Sequence, residues 1–263
     1  SKRELICGKE EHTHILECYS DPEADKETPK QWEHTLKGVE LTGLHREDLL
    51  AIARTQLGYK ESERNYIVQA DGQTKAGYTR YGEWYGDPYG EWSAMFISFC
   101  LDYAQVPKVP RHASCHLWIR ELDEKGLYFS AMAQEPQPGN IVFIDWDADR
   151  YADHMGIIEA INEDGSITTI EGNRSNAVAQ AEYARGDPHL LGYGIVPQGE
   201  RREETTSPII GEGAPPDEEA QNAGAAEQTI QATIYTDETL QQKSEDETVI
   251  LITGALPAGA TAR

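Results

Sequence analysis

The sequence predicts an α+β domain whose N-terminal helices pack on an antiparallel sheet. Apolar residues first recur at helical spacing, across residues 45–125. The period then shortens to brief β-branched runs between residues 140 and 196. Tight turns, Pro138-Gly139 and Asp164-Gly165 among them, separate those runs. Helices first and closely spaced strands after them are the pattern of an α+β fold.

The chain has 263 residues, enough for one domain of ordinary size with material left over. Its formal charge of −23 excludes a nucleic-acid binder, which needs a basic face. No apolar run reaches transmembrane length, so no membrane span is expected. The opening Ser1-Lys2-Arg3 shows no signal peptide and reads as the edge of a longer protein.

Residues 1–40 are expected to form an N-terminal Cys/His segment and a linker. Cys7, His12, His14 and Cys18 supply two thiols and two imidazoles, the ligand set of a structural zinc site. A Cys7–Cys18 disulfide explains the same spacing, so zinc and disulfide both stay open. Residues 21–40 are polar and turn-rich and are read as linker.

The main domain is expected over residues 41–197. A helix is predicted from about His45 to Gly58, with Leu49, Ile52, Ala53 and Leu57 on one face. Residues 59–92 read as a tyrosine-rich loop suited to packing or to lining a groove. A second helix starts at Ser93, with Phe96, Ile97, Cys100, Leu101 and Ala104 on one face, and Pro107 and Pro110 end it. A third is predicted over His112–Lys125, with Leu117, Trp118 and Leu122 inward. Cys100 and Cys115 read as buried thiols. Strands are predicted over Asn140–Trp146, His154–Ile161, Gly165–Glu171 and Leu190–Val196. Residues 198–228 form an acidic linker rich in Pro, Gly and Ala, and residues 229–263 the start of a β-rich module.

The join at Ser93 is the chemical centre of this reading. A residue there projects from a helix N-terminus, where unpaired N–H groups and the positive dipole end favour developing negative charge. Alone, Ser93 is an ordinary helix cap, and His154 alone an ordinary core histidine. Asp145, Asp147, Asp149 and Asp153 have the alternation of calcium ligands. The sixth position, however, is Arg150 rather than Gly, and Gly156 stands where a bidentate glutamate belongs. Calcium is therefore not expected, and the acidic hairpin reads as a solvated surface that steers a cationic substrate group.

Three blocks in order, DPYGEWSAMFISFCLDYA, PGNIVFIDWDADRYADHMGIIEAI and ITTIEGNRSNAVA, resemble the CHAP domain. This is a family of cysteine, histidine-dependent amidohydrolases and peptidases in the papain-like superfamily. The resemblance spans about residues 45–197. It implies a papain-like fold, attack on an amide carbonyl through a thiol acyl-enzyme, and no cofactor for catalysis. Carried onto this chain, it implies His154 as base and Glu171 or Asn173 as the residue that orients it. Glu171 is preferred because a carboxylate also stabilises an imidazolium. The oxyanion would lie against the backbone N–H of residue 93 and a donor from the tyrosine-rich loop, for which Tyr81 is the candidate. The family has cysteine where this chain has Ser93. That residue is read first as a deliberate replacement that leaves the protein inactive. A naturally inactive member and a working serine nucleophile stay open beside it.

The expected substrate is bacterial peptidoglycan, cut at the sugar–peptide amide or in a peptide bridge, by a secreted or surface-attached multidomain protein. Two rivals remain: a protease of a host or partner protein, and a binding or adhesion module without catalysis.

Overall fold

A computed structural model describes residues 15–200. Cys7, His12 and His14 lie outside the described residues, as do the linker beyond residue 200 and the β-rich module expected over 229–263. The N-terminal metal reading therefore has one described member, Cys18, which is buried in the 3-10 turn Leu16–Tyr19.

The helices come first. α1 spans Pro29–His34 and α2 His45–Thr55, followed by α3 (Arg80–Tyr85), α4 (Ser93–Tyr103) and α5 (Cys115–Glu124). A small hairpin of β1 (Tyr66–Val68) and β2 (Lys75–Gly77) lies between α2 and α3. β3 (Tyr128–Ser130), β4 (Ile141–Ile144), β5 (His154–Ile161), β6 (Ile167–Glu171), β7 (Ala179–Tyr183) and β8 (Leu190–Gly194) then form one sheet. Its six strands run in the order β3-β8-β4-β5-β6-β7, every neighbour antiparallel. This is the α+β architecture expected from the sequence. Among the described residues no helix is long and apolar enough to cross a membrane.

α4 is the central helix. Residues Ser93 to Leu101 are all buried along it, so it is covered on every side rather than amphipathic. It packs against α2, α3 and β5. β4 shows the period of two that a strand covered on both faces needs. Ile141 and Phe143 join Phe96, Ile97, Met155 and Ile170 in the main core. Val142 and Ile144 join Ile158, Tyr183 and Tyr193 on the other face.

Two segments differ from expectation. Residues 21–40 do not behave as a linker: α1 buries Trp32, and Leu36 follows it into the main core. The Trp32 indole N–H donates to Tyr103 Oη at 2.9 Å, which ties the segment to the end of α4. Polar composition concealed two large apolar anchors. Residues 59–92 are not a loop, since they contain β1, β2 and α3. Their aromatic rings pack inward: Tyr81 stacks on Trp92 at 5.3 Å between centroids and meets Phe96 and Phe99 edge-on.

Candidate active site

The site forms where the N-terminus of α4 meets the first residue of β5. Trp92 sets the position of the helix start. It is buried, and its indole N–H donates to Glu61 Oε2 at 2.9 Å. Glu61 Oε1 in turn accepts the Gly77 N–H at 2.7 Å, so the hairpin holds the residue next to Ser93. The first intrahelical bond of α4 runs from the Phe96 N–H to the Trp92 carbonyl at 2.9 Å. The N–H groups of Ser93, Ala94 and Met95 thus have no partner within the helix, which makes this end receptive to an anion.

His154 opens β5, opposite Ile144 of β4. Its Nε2–H donates to Glu171 Oε2 at 3.0 Å, and both residues are buried. The sheet register explains how they meet. Ile157 pairs with Ile170, so Glu171 falls beside Gly156 and reaches diagonally to His154. A Cβ on Gly156 would stand 2.8 Å from Glu171 Cγ, so only glycine leaves that path open. With Nε2 holding the proton, Nδ1 becomes the basic nitrogen of the neutral ring. Trp146 stacks on the imidazole at 4.9 Å and an interplanar angle of 22°, covering one ring face.

Glu171 also accepts the Thr169 hydroxyl at 2.6 Å and lies 3.5 Å from Arg174 Nη1. Burial pushes its carboxyl up. The hydrogen bond and charge of His154, the Thr169 hydroxyl and the Arg174 guanidinium together outweigh burial and hold it below the usual carboxylate value of 4.5. A carboxyl lowered in the folded state stabilises the fold fully above its unfolded value, and that contribution is lost as pH falls through the folded value. Thermal stability is therefore expected to fall as pH drops below about 4.5, and Glu171→Gln to remove part of that dependence. Melting curves from pH 3 to 7 on the two proteins check it, and parallel curves would remove Glu171 as the cause.

Ser93, His154 and Asn173 line one cavity of about 300 Å³, together with Glu91, Cys115 and Asp153. Ser93 Oγ lies 3.6 Å from Cys115 Sγ. Asn173 takes a left-handed backbone, φ 59°, and its Nδ2 donates to Glu91 Oε2 at 2.6 Å. Of the two candidates for orienting the base, Glu171 is the one in contact with His154, while Asn173 holds the cavity rim.

Tyr81 is placed elsewhere. It is fully buried, its hydroxyl donates to Gln56 Oε1 at 3.0 Å, and it is absent from the cavity lining. The expected side-chain donor for the oxyanion is therefore not this residue, whose ring belongs to the core beneath α4. Sequence reasoning missed Glu91, Cys115 and Trp146 as parts of the site. Trp146 carried a weak signal, an aromatic residue at the end of a buried strand run. Cys100 and Cys115 are both free thiols, Cys100 deep in the core and Cys115 on the cavity wall.

In the acidic hairpin, ligand atoms of Asp145, Asp147 and Asp149 lie within 4.8 Å of one another. The Asp145 carboxylate is already used by the backbone N–H groups of Ala148, at 2.7 Å, and Arg150, at 2.8 Å. Asp153 Oδ2 accepts the Trp146 N–H at 2.7 Å. These bonds shape the turn that carries Trp146 to the face of His154.

Comparison with known proteins agrees with this geometry in one respect and adds little in the others. No curated protein matches the chain. A solved structure described as the crystal structure of Ly7917 is similar at 14% identity and a TM-score of 0.38, over 59% of this chain and 63% of that one. Residues 84–173 match the CHAP domain family, a stretch that contains Ser93, His154, Glu171 and Asn173. The start of α4, the His154 strand and the Glu171 strand all lie inside the region that matches the CHAP domain family.

Proposed function

We propose that this domain hydrolyses amide bonds in bacterial peptidoglycan through a thiol acyl-enzyme, as part of a secreted or surface-attached protein. CHAP domains are hydrolytic amidases or peptidases. The observation that carries the finer reading is the buried His154–Glu171 pair at 3.0 Å, whose imidazole shares one cavity with Ser93 at a helix N-terminus. His154 Nδ1 takes the proton of the attacking group and later delivers it to the leaving amine. Glu171 fixes the ring tautomer and stabilises the imidazolium. The N–H of residue 93 faces the developing oxyanion. Glu91 and Asp153 on the cavity wall suit a substrate that carries a free amine, as peptidoglycan stem peptides do.

Residue 93 is the departure. A serine hydroxyl is much less acidic than a thiol, so a helix dipole and an imidazole do not pre-ionise it. The α4 position is accordingly inactive as it stands. Ser93→Cys, assayed under reductant, is expected to raise solubilisation of purified peptidoglycan by about 10²-fold or more. New amino termini without free muramic-acid lactyl groups would identify peptide-bond cleavage, and free lactyl groups the sugar–peptide amide. If Ser93→Cys leaves peptidoglycan intact and cleaves a protein mixture, the substrate is protein. If it cleaves neither, the hydrolase reading fails.

A further inference from the structure

The cavity has a thiol that the family pattern does not use. Cys115 is the first residue of α5, ten residues long, and Ser114 caps that helix by accepting the Leu117 N–H. Its side chain lines the same cavity as His154, and its Sγ is 3.6 Å from Ser93 Oγ. The sulfur thus stands beside the place where the family's own sulfur would be. It is not an isolated cysteine, because His154, the imidazole that would serve a thiol at residue 93, lines the same space, with Glu171 buried behind it. It has a helix N-terminus of its own, as residue 93 has.

We infer that Cys115 is the nucleophile of this chain, having taken over from the α5 side of the cavity the role that residue 93 has lost. The inference rests on the amide-hydrolase reading above. Burial pushes the Cys115 thiol up to about 11, against the hydrogen bond from Ser93, and the carboxylates of Asp153 and Glu91 add to the rise. At neutral pH the group is therefore a protonated thiol, and it attacks only with a base to take its proton.

The step balances with groups already present. Cys115 Sγ bonds to the amide carbonyl carbon as its proton passes to His154 Nδ1, and the carbonyl π pair moves onto oxygen. The tetrahedral adduct collapses, the C–N bond breaks, and the amine leaves with the proton from His154. Water then attacks the thioester, giving its proton to His154. The thiol is regenerated and a carboxylic acid released. Ser93 keeps a part in this scheme: its hydroxyl hydrogen-bonds the sulfur, and its backbone N–H faces the oxyanion.

The test uses the full chain, its Cys115→Ser variant and its Ser93→Cys variant, with soluble muropeptides from purified peptidoglycan as probe. The expected result is measurable hydrolysis by the unaltered chain and a loss of at least about 10³-fold in Cys115→Ser. Acid-quenched mass mapping should place the acyl group, labile to hydroxylamine, on the Cys115 peptide. If Cys115→Ser fails to fold, alkylation of the native protein reads the same thing. Activity lost in step with Cys115 modification supports the inference, and activity that survives complete modification overturns it. An acyl group mapped to Ser93 also overturns it. If the unaltered chain is inert while Ser93→Cys hydrolyses the probe, the inference falls and the hydrolase reading stands. If both are inert, the hydrolase reading itself falls.

Discussion

Replacing His154 by alanine is expected to lower amide hydrolysis by about 10²–10⁴-fold, the range removed with a general acid–base. The loss should be of this size in the unaltered chain and in Ser93→Cys alike, because one imidazole serves an attacking group from either wall of the cavity. It should fall in kcat rather than KM, since the proton transfer is a property of the transition state. Glu171→Gln is the informative companion. It keeps an acceptor opposite Nε2 but removes the charge that stabilises the imidazolium, so a loss of up to about 10⁴-fold is expected at preserved fold. Initial rates of muropeptide cleavage on the three proteins measure this directly. A His154→Ala protein that retains half its activity would show that the base lies elsewhere, and Asp153, on the same cavity wall, would be the next residue to replace.

The parts of this site that could be read from the sequence are those fixed by local pattern. A continuous apolar helix announces α4 and puts Ser93 at its start, and β-branched runs announce the strands that carry His154 and Glu171. What could not be read depends on packing between distant segments. Cys115 lies 22 residues from Ser93 in the chain, and only the docking of α5 brings the two side chains together. Tyr81 was one tyrosine among several, and composition does not tell a core ring from one that lines a groove. The strands β3 and β7 are edges of the sheet, short and half-exposed, so they bury too little to show a period. Segment 21–40 hid Trp32 and Leu36 among polar neighbours, and those two residues suffice to fasten it to the core.

Adding a single methyl group at Gly172 is expected to damage both the fold and the site. Gly172 follows β6 directly, and a Cβ there would stand 2.7 Å from Phe96 Cγ and 3.0 Å from Cδ1, inside any ordinary contact. Phe96 is fully buried and held edge-on against Tyr81, so the ring has little room to retreat. The strain falls on the seat between α4 and β6, the elements that carry residue 93 and Glu171. Overpacking of this kind costs about 1–3 kcal/mol. Gly172→Ala should therefore lower the unfolding free energy in denaturant by that amount. In the Ser93→Cys background it should also cut kcat more than the stability loss alone requires, because displacing a reacting group by about 1 Å costs on the order of 10²-fold. Phe96→Ala removes the ring atoms that the new methyl would meet, at the cost of a cavity, but keeps Phe96 Cβ, the atom nearest to it, so the relief is partial. The double variant should then lose less stability than the two single variants summed, since they share one contact. Strict additivity would show that the strain comes from Phe96 Cβ and the α4 backbone behind it, which Phe96→Ala keeps, rather than from the ring. An unchanged kcat in a destabilised Gly172→Ala protein would show that the site tolerates movement of α4, and that its geometry is held by Trp92 and Glu61 instead.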